Sequence, residues 1–128
     1  MNESNDDTLE ILQLYARYNT AIDSHDPKAF AGCFVGEGRL DSSKGIFEGH
    51  EAIAGFAAAV HSNQPGMRHD PTNVVVEVDG CSATGSAFLI CYDVQGGFRV
   101  TATGRYADRL TRTPAGWRFL QRVFTPDR

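Results

Sequence analysis

The C-terminal half of the sequence predicts strands joined by tight turns, and this feature constrains the fold most. Alternating valines begin a first strand at residue 74, and the dipeptide at residues 79–80 (Asp-Gly) is a strong signal for a tight hairpin. Turn-forming residues at 95–97 and 113–116 separate three further strands. Gly104 falls in the middle of the third strand, where we expect a bend or bulge that lets the sheet curl. The pattern predicts an antiparallel meander.

Helices are predicted in the N-terminal half. The first ends near Asp23, and its buried stripe recurs at helical spacing in Ile11, Leu14, Tyr15, Tyr18, Ala21 and Ile22. Residues 1–6 are expected to be frayed, with the polar residues at 5–7 capping the helix. A proline after Asp26 begins a short second helix that runs to Phe34, and a third covers residues 50–61. Two weak strands, 35–41 and 45–49, lie between them.

Helices followed by a meander predict an α+β domain in which the helices cover one face of a curved sheet. We expect a single domain over residues 1–128, because no linker or low-complexity segment interrupts the chain. The strand over residues 83–94 is apolar on both faces. One of these faces must pack on the helices, and a second copy of the chain is the simplest cover for the other. The sequence therefore predicts a homodimer.

Composition excludes several classes of function. The chain is 41% hydrophobic and 22% charged, which is ordinary for a globular protein, and its net charge is −4. This acidic balance argues against binding to nucleic acid or to an anionic membrane. No apolar run is long enough to span a membrane, and residues 1–7 lack the features of a signal peptide, so we expect a cytoplasmic protein.

The three cysteines do not form a metal-binding or redox motif. Cys33, Cys81 and Cys91 are an odd number without a CxxC pair, so we expect reduced thiols packed as small hydrophobic side chains. Cys33 as a catalytic nucleophile is the alternative, but no base is placed beside it in the sequence. The histidines show no ligand spacing and no phosphate-binding loop is present, so we predict neither a metal nor a cofactor.

Three residues point to a common site. Asp23 ends the apolar stripe of the first helix, Tyr18 lies on that stripe, and His69 precedes the first long strand. An imidazole can accept a proton near neutral pH, and a carboxylate on its other nitrogen fixes the tautomer and stabilises the imidazolium. Our hypothesis is that Asp23 and His69 meet in one cavity that Tyr18 shares, where the phenol donates a hydrogen bond to substrate.

Each of these residues also has a structural interpretation. Asp23 can stop the helix or form a salt bridge, His69 can bond to backbone at a strand entry, and Tyr18 can be core. Tyr106 and Asp108 share a strand face, and there we prefer a structural ion pair of Asp108 to a role in catalysis. Arg68 could bind an acidic substrate, although we expect it to point outward.

Several loose motifs occur in a defined order along nearly the whole chain. They are Leu14-x3-Tyr18-x2-Ala21-x-Asp23, Asp26-x3-Phe30-x3-Phe34, His69-x3-Asn73, Gly104-x-Tyr106-x-Asp108, and Gly116-Trp117-Arg118-Phe119 with Arg122. As a set they resemble the SnoaL-like branch of the nuclear transport factor 2-like (NTF2-like) superfamily. The resemblance implies a cone-shaped curved sheet whose N-terminal helices enclose an apolar pocket. We expect that pocket to be lined by Tyr15, Phe30, Phe34, Phe56, Asn73 and Tyr106, although Asn73 could instead only secure the strand turn.

Within that superfamily, the Tyr/Asp/His pattern resembles scytalone dehydratase, bile acid 7α-dehydratase and hexachlorocyclohexane dehydrochlorinase. The resemblance implies cofactor-free elimination, with Asp23 orienting His69 and His69 removing a carbon-bound proton. Tyr18 stands where the bile acid enzyme has a tyrosine and the dehydrochlorinase a lysine, and the second active-site histidine of scytalone dehydratase has no counterpart.

The resulting expectation is a lyase or isomerase acting on a small apolar, oxygenated ring compound such as a polyketide, steroid or aromatic metabolite. Two alternatives use the same fold. One is a non-catalytic protein that binds a small molecule. The other is an assembly module like the small subunit of ring-hydroxylating dioxygenases, which carries no active site.

Overall fold

The computed structural model describes residues 3–128, which form helices and a single sheet. The helices are α1 (Glu3–Asp23), α2 (Pro27–Ala31) and α3 (His50–Asn63). The strands are β1 (Phe34–Ser42), β2 (Gly45–Glu48), β3 (Met67–Asp79), β4 (Ser82–Asp93), β5 (Arg99–Thr113) and β6 (Gly116–Pro126). The sheet is curved and unclosed, with the strand order β2-β1-β6-β5-β4-β3. The α+β class predicted from the sequence is confirmed.

The core lies between the helices and one face of the sheet. Helix α1 packs against β3 and β6, and its apolar stripe is buried over the full predicted length. Alternate residues of β4 are buried beneath the helices, as the period of two requires. Trp117 is fully buried, and its indole nitrogen donates to Asp7 at 3.0 Å. The side chain of Asp7 therefore ties the start of α1 to β6, where the sequence suggested only a helix cap.

Two helix boundaries differ from the predictions. Helix α1 already includes residues 3–6, so the expected fraying is wrong for those positions, and residues 1 and 2 lie outside the described part. Helix α2 ends at Ala31, whereas Phe34 begins β1. Gly32 follows the helix, and the carbonyl of Cys33 accepts a hydrogen bond from the backbone nitrogen of Phe119 at 2.8 Å. Because this bond pairs Cys33 with β6, the segment after Ala31 joins the sheet instead of continuing the helix.

The polar run at residues 68–73 is part of β3 rather than a lead-in to it. Its backbone pairs with β4 from Met67 to Thr72, and the register then shifts before Val75. Asn73 sits within this irregularity at a φ of 53°, a left-handed conformation that asparagine tolerates better than most residues. His69 is thus held in a strand, where its side chain has a fixed direction.

Strand pairing is antiparallel except between β1 and β6, which run parallel. Of the bend or bulge predicted at Gly104, a bulge is not present, because the pairing of β5 is regular there. The register shifts instead at Thr101 of β5, opposite β4, and at Leu120 of β6, opposite β5. Gly104 has another role, because a Cβ atom there would lie 2.6 Å from the ring of Phe124. The glycine lets the last strand pack closely across β5.

The second face of β4 remains uncovered in the monomer. Phe88 is 51% exposed and Ile90 37%, and Val100 on the neighbouring strand is 53% exposed.

Cys81 is exposed, contrary to the expectation that every thiol is packed, because it lies in the turn between β3 and β4. No helix in the described range is both long and apolar enough to span a membrane.

Candidate active site

The end of α1 and the start of β3 bring Asp23 and His69 together. Nδ1 of His69 lies 2.7 Å from Oδ1 of Asp23, and the backbone nitrogen of His69 donates to Oδ2 at 3.0 Å. An ionised carboxylate only accepts hydrogen bonds, so Nδ1 carries the proton and Nε2 is the nitrogen left for other partners. Both side chains are nearly buried, with exposed fractions of 10% for His69 and 14% for Asp23.

The environment of His69 favours its charged form. Burial by itself lowers the pKa of the imidazole, but the hydrogen bond to Asp23, helped by the neighbouring Cys91 thiol, outweighs it and raises the pKa to about 9. At neutral pH the resting pair is therefore an imidazolium bonded to a carboxylate.

A cavity of about 210 Å³ opens beside the histidine, between the helices and the sheet. Its buried inner end, which we call the floor, includes Tyr18, Leu89, Cys91 and Tyr106, with His69 among them. Its exposed rim, which we call the mouth, consists of Ser43, Lys44, Gln64, Thr101 and Ala102. The remaining lining residues are Ile22, Leu40, Ser42, Phe56, Val60, Met67 and Phe124. Apart from Ser42, these remaining residues are apolar.

Tyr18 is 3% exposed and lies on the floor. Its ring packs on Phe30, with 4.4 Å between ring centroids, and burial raises the pKa of its hydroxyl to about 12. The phenol therefore remains protonated at neutral pH and can donate a hydrogen bond.

A buried ion pair supports the floor from behind. Arg122 and Asp108 are both fully buried, and Nε of Arg122 donates to Oδ1 of Asp108 at 2.9 Å. Tyr15 donates its hydroxyl to the same carboxylate. The guanidinium lies over the rings of Tyr106 and Tyr18, with its Cζ 3.4 and 4.4 Å from their centroids. Burial alone would lower the pKa of Arg122, but the carboxylate outweighs it and raises the pKa above its usual value. The structural ion pair predicted for Asp108 is present.

The predicted pocket residues divide into two groups. Phe56 and Tyr106 line the cavity together with Tyr18 and His69, while Asp23 lies behind the histidine and outside the lining. Tyr15, Phe30, Phe34 and Asn73 are also absent from the lining among the described residues. The hydroxyl of Tyr15 donates a hydrogen bond to Asp108. Phe30 and Phe34 pack against the ring of Tyr18. Asn73 belongs to the irregular point of β3.

Several residues that line the cavity could not be identified from the sequence. Leu40, Met67, Leu89 and Phe124 line the cavity without standing in any motif that suggested it. Lys44 lies between the two predicted strands 35–41 and 45–49, where the sequence indicated no role for it. Clusters of three or more residues suited to holding a metal ion do not occur in the part of the chain that the structure describes.

A family model for the SnoaL-like domain matches residues 3–123. The chain belongs to the SnoaL-like family. Members of this family include polyketide cyclases and dehydratases, and they bind small ligands. This SnoaL-like protein is 35% identical over 126 residues to an uncharacterised protein of Mycobacterium tuberculosis, and the match covers 93% of this chain and 84% of the relative.

Solved structures share the fold of this SnoaL-like domain. An NTF2-like protein with a cystatin-like fold from Novosphingobium aromaticivorans superposes with a TM-score of 0.88 at 29% identity, covering 93% of this chain and 80% of that one. A candidate scytalone dehydratase from the same organism superposes with a TM-score of 0.84 at 17% identity, covering 100% and 89% of the two chains. At that identity the second likeness extends to the fold alone.

Proposed function

We propose that the protein is a cofactor-independent lyase or isomerase in which the Asp23–His69 dyad removes a carbon-bound proton. The substrate is a small apolar, oxygenated ring compound of the polyketide, steroid or aromatic type. The observation that carries the proposal is the hydrogen bond between Asp23 and Nδ1 of His69 beside an apolar cavity, since it leaves Nε2 as the ring nitrogen that does not bond to Asp23.

The proposed reaction begins when the neutral imidazole of His69 takes a proton from a ring carbon through Nε2. The electron pair of the C–H bond forms a double bond, and in a dehydratase the C–O bond on the adjacent carbon breaks. The leaving hydroxide takes a proton from the His69 imidazolium and departs as water, which returns the imidazole to its neutral form. Asp23 stabilises the imidazolium as it forms, and Tyr18 donates a hydrogen bond to a substrate oxygen. General base catalysis of this kind contributes roughly 10²–10⁴-fold in rate.

The dyad can be tested without a substrate by titrating the histidines by NMR. Replacing Asp23 by Asn should lower the pKa of His69 by at least two units from about 9, because burial is then opposed only weakly. Asp26→Asn is the matched control, since that carboxylate caps α2 and bonds to Ala29 rather than to a histidine. A His69 resonance that ignores Asp23→Asn would refute the dyad.

Proton abstraction itself can be measured with 2-tetralone, a two-ring ketone whose carbon-bound protons next to the carbonyl exchange in D2O. We expect the protein to accelerate this exchange, seen as loss of proton NMR signal, and His69→Gln to abolish the acceleration. Tight binding of the ketone without faster exchange would favour the non-catalytic binding protein. Neither binding nor exchange would favour the assembly module.

We also propose that two copies pair through the outer face of β4 and β5. Phe88, Ile90 and Val100 are exposed there on adjacent strands and form an apolar surface that water would otherwise hydrate. Sedimentation velocity should give a dimer at micromolar concentration, and Val100→Lys should give a monomer. A monomeric wild-type protein would overturn the pairing.

A further inference from the structure

The turn between β1 and β2 forms one side of the cavity mouth. Ser42, Ser43 and Lys44 all line the cavity, and they come from this four-residue turn. The hydroxyl of Ser42 accepts a hydrogen bond from the backbone nitrogen of Lys44 at 3.0 Å and donates one to the carbonyl of Gly45 at 3.1 Å. These two bonds hold the backbone of Lys44 at the rim, while its side chain remains exposed.

Charge is distributed unevenly around the cavity. Within the described part of the chain, no aspartate or glutamate lines it, because the carboxylate of Asp23 lies behind His69. Lys44 is the lining residue with a permanent positive charge, and its ammonium group forms no ion pair with any carboxylate of the described residues. A protein of net charge −4 thus has a cavity whose mouth is positive and unneutralised.

We propose that the cavity selects ring compounds that carry a carboxylate, and that Lys44 binds this carboxylate at the mouth. The ring then packs against the apolar lining residues Leu40, Phe56 and Val60, with its far edge toward His69. The inference rests on the proposed function, because it names the substrate class of that same site. It adds a specificity-determining residue that takes no part in the proton transfer.

Other basic residues do not offer this contact. Arg68 could bind an acidic substrate by its sequence position, although we expected it to point outward. Its side chain donates to the carbonyl of Met67 at 3.1 Å and does not line the cavity. Arg122 lies behind the floor and is already bonded to Asp108. Lys44 is left as the cation with the reach and the freedom to meet a ligand at the rim.

The test compares 2-naphthoate with its neutral amide, 2-naphthamide, by isothermal titration calorimetry at pH 7. We expect the wild type to bind the carboxylate about two- to fivefold more tightly than the amide, which is the usual contribution of an exposed ion pair. Lys44→Gln should abolish the difference. Lys28→Gln is the matched control, because the other lysine of the chain is exposed on α2 and does not line the cavity, and it should retain the preference.

Added salt gives a second measurement on the same proteins. The preference of the wild type for the carboxylate should shrink between 50 and 500 mM salt. The Debye length shortens as salt is added, so the attraction between exposed charges at the mouth is screened more strongly. Equal affinity for the two probes, or no binding of either, would overturn the inference. A preference that persists in Lys44→Gln would assign the anion to His69 instead and would also overturn it.

The two proposals fail separately. The NMR titration measures the pKa of His69, and thus tests the dyad, without any ligand. The calorimetry measures the preference for a carboxylate, and thus tests Lys44, without any reaction. A lost carboxylate preference with an intact dyad would leave the proton-abstraction proposal standing, whereas an absent dyad would remove the chemistry even if Lys44 binds the carboxylate.

Discussion

Asp23 binds His69 twice, through the ring nitrogen Nδ1 at 2.7 Å and through the backbone nitrogen at 3.0 Å. The two residues lie 46 positions apart in the chain, so the carboxylate joins the last residue of α1 to the third residue of β3. The backbone bond fixes where the carboxylate sits, and the ring bond fixes which tautomer the imidazole adopts. One side chain therefore serves both the packing of the helix on the sheet and the chemistry of the cavity.

The stability of the protein should depend on pH through His69. Its pKa of about 9 exceeds the usual value near 6.5, so the folded state binds more protons than the unfolded state between these values. The stabilisation is complete below pH 6.5 and is lost as pH rises through 9, up to about 3 kcal/mol in total. Urea unfolding of wild type and His69→Gln at pH 6 and pH 9.5 should show a gap in the free energy of unfolding that narrows at the higher pH.

The rate of ketone exchange should rise with pH. The pKa of about 9 leaves about 1% of the imidazole neutral at pH 7, and this fraction grows tenfold per pH unit until it levels off. The acceleration of 2-tetralone exchange, corrected for the protein-free reaction, should follow that curve between pH 6 and 9. A profile that is flat over this range would contradict a neutral imidazole as the base.

Breaking the ion pair behind the floor should destabilise the fold strongly. Asp108→Asn leaves the buried guanidinium of Arg122 without its carboxylate, which costs about 3–5 kcal/mol. Replacing both residues together, Asp108 by Leu and Arg122 by Met, should recover part of this loss. Arg99→Gln is the control, because that arginine is 74% exposed in its pair with Asp93 and contributes at most about 1 kcal/mol. Thermal unfolding measures all three, and similar losses for Asp108→Asn and Arg99→Gln would contradict the account.

Two glycine-to-alanine changes should act in opposite directions. At Gly104 a methyl group would meet the ring of Phe124 at 2.6 Å and the carbonyl oxygen of Thr125 at 2.5 Å, so Gly104→Ala should cost about 1–3 kcal/mol. Gly55 lies within α3 with no atom inside 4 Å of such a group, so Gly55→Ala should stabilise by up to about 1 kcal/mol. Chemical unfolding of both variants checks the signs, and a harmless Gly104→Ala would show that β6 can shift away from β5.

Much of the fold could be predicted because its signals are local. The apolar stripe of α1, the Asp-Gly hairpin before β4 and the alternation within β4 each depend on residues close in sequence. The boundaries that were missed depend on distant partners. Helix α2 stops early because the segment after it pairs with β6, and the polar run around His69 becomes a strand because β4 supplies its hydrogen bonds.

The sequence by itself determined the residue types of the candidate site and the stripe that buries Tyr18. Only the tertiary structure decided what these residues touch. It placed Asp23 behind His69, turned Tyr15 toward a buried carboxylate instead of the cavity, and put Lys44 at the mouth. The reason is that a cavity is the space left between segments far apart in the chain. Strand register and packing set its walls, and no local pattern of residues records them.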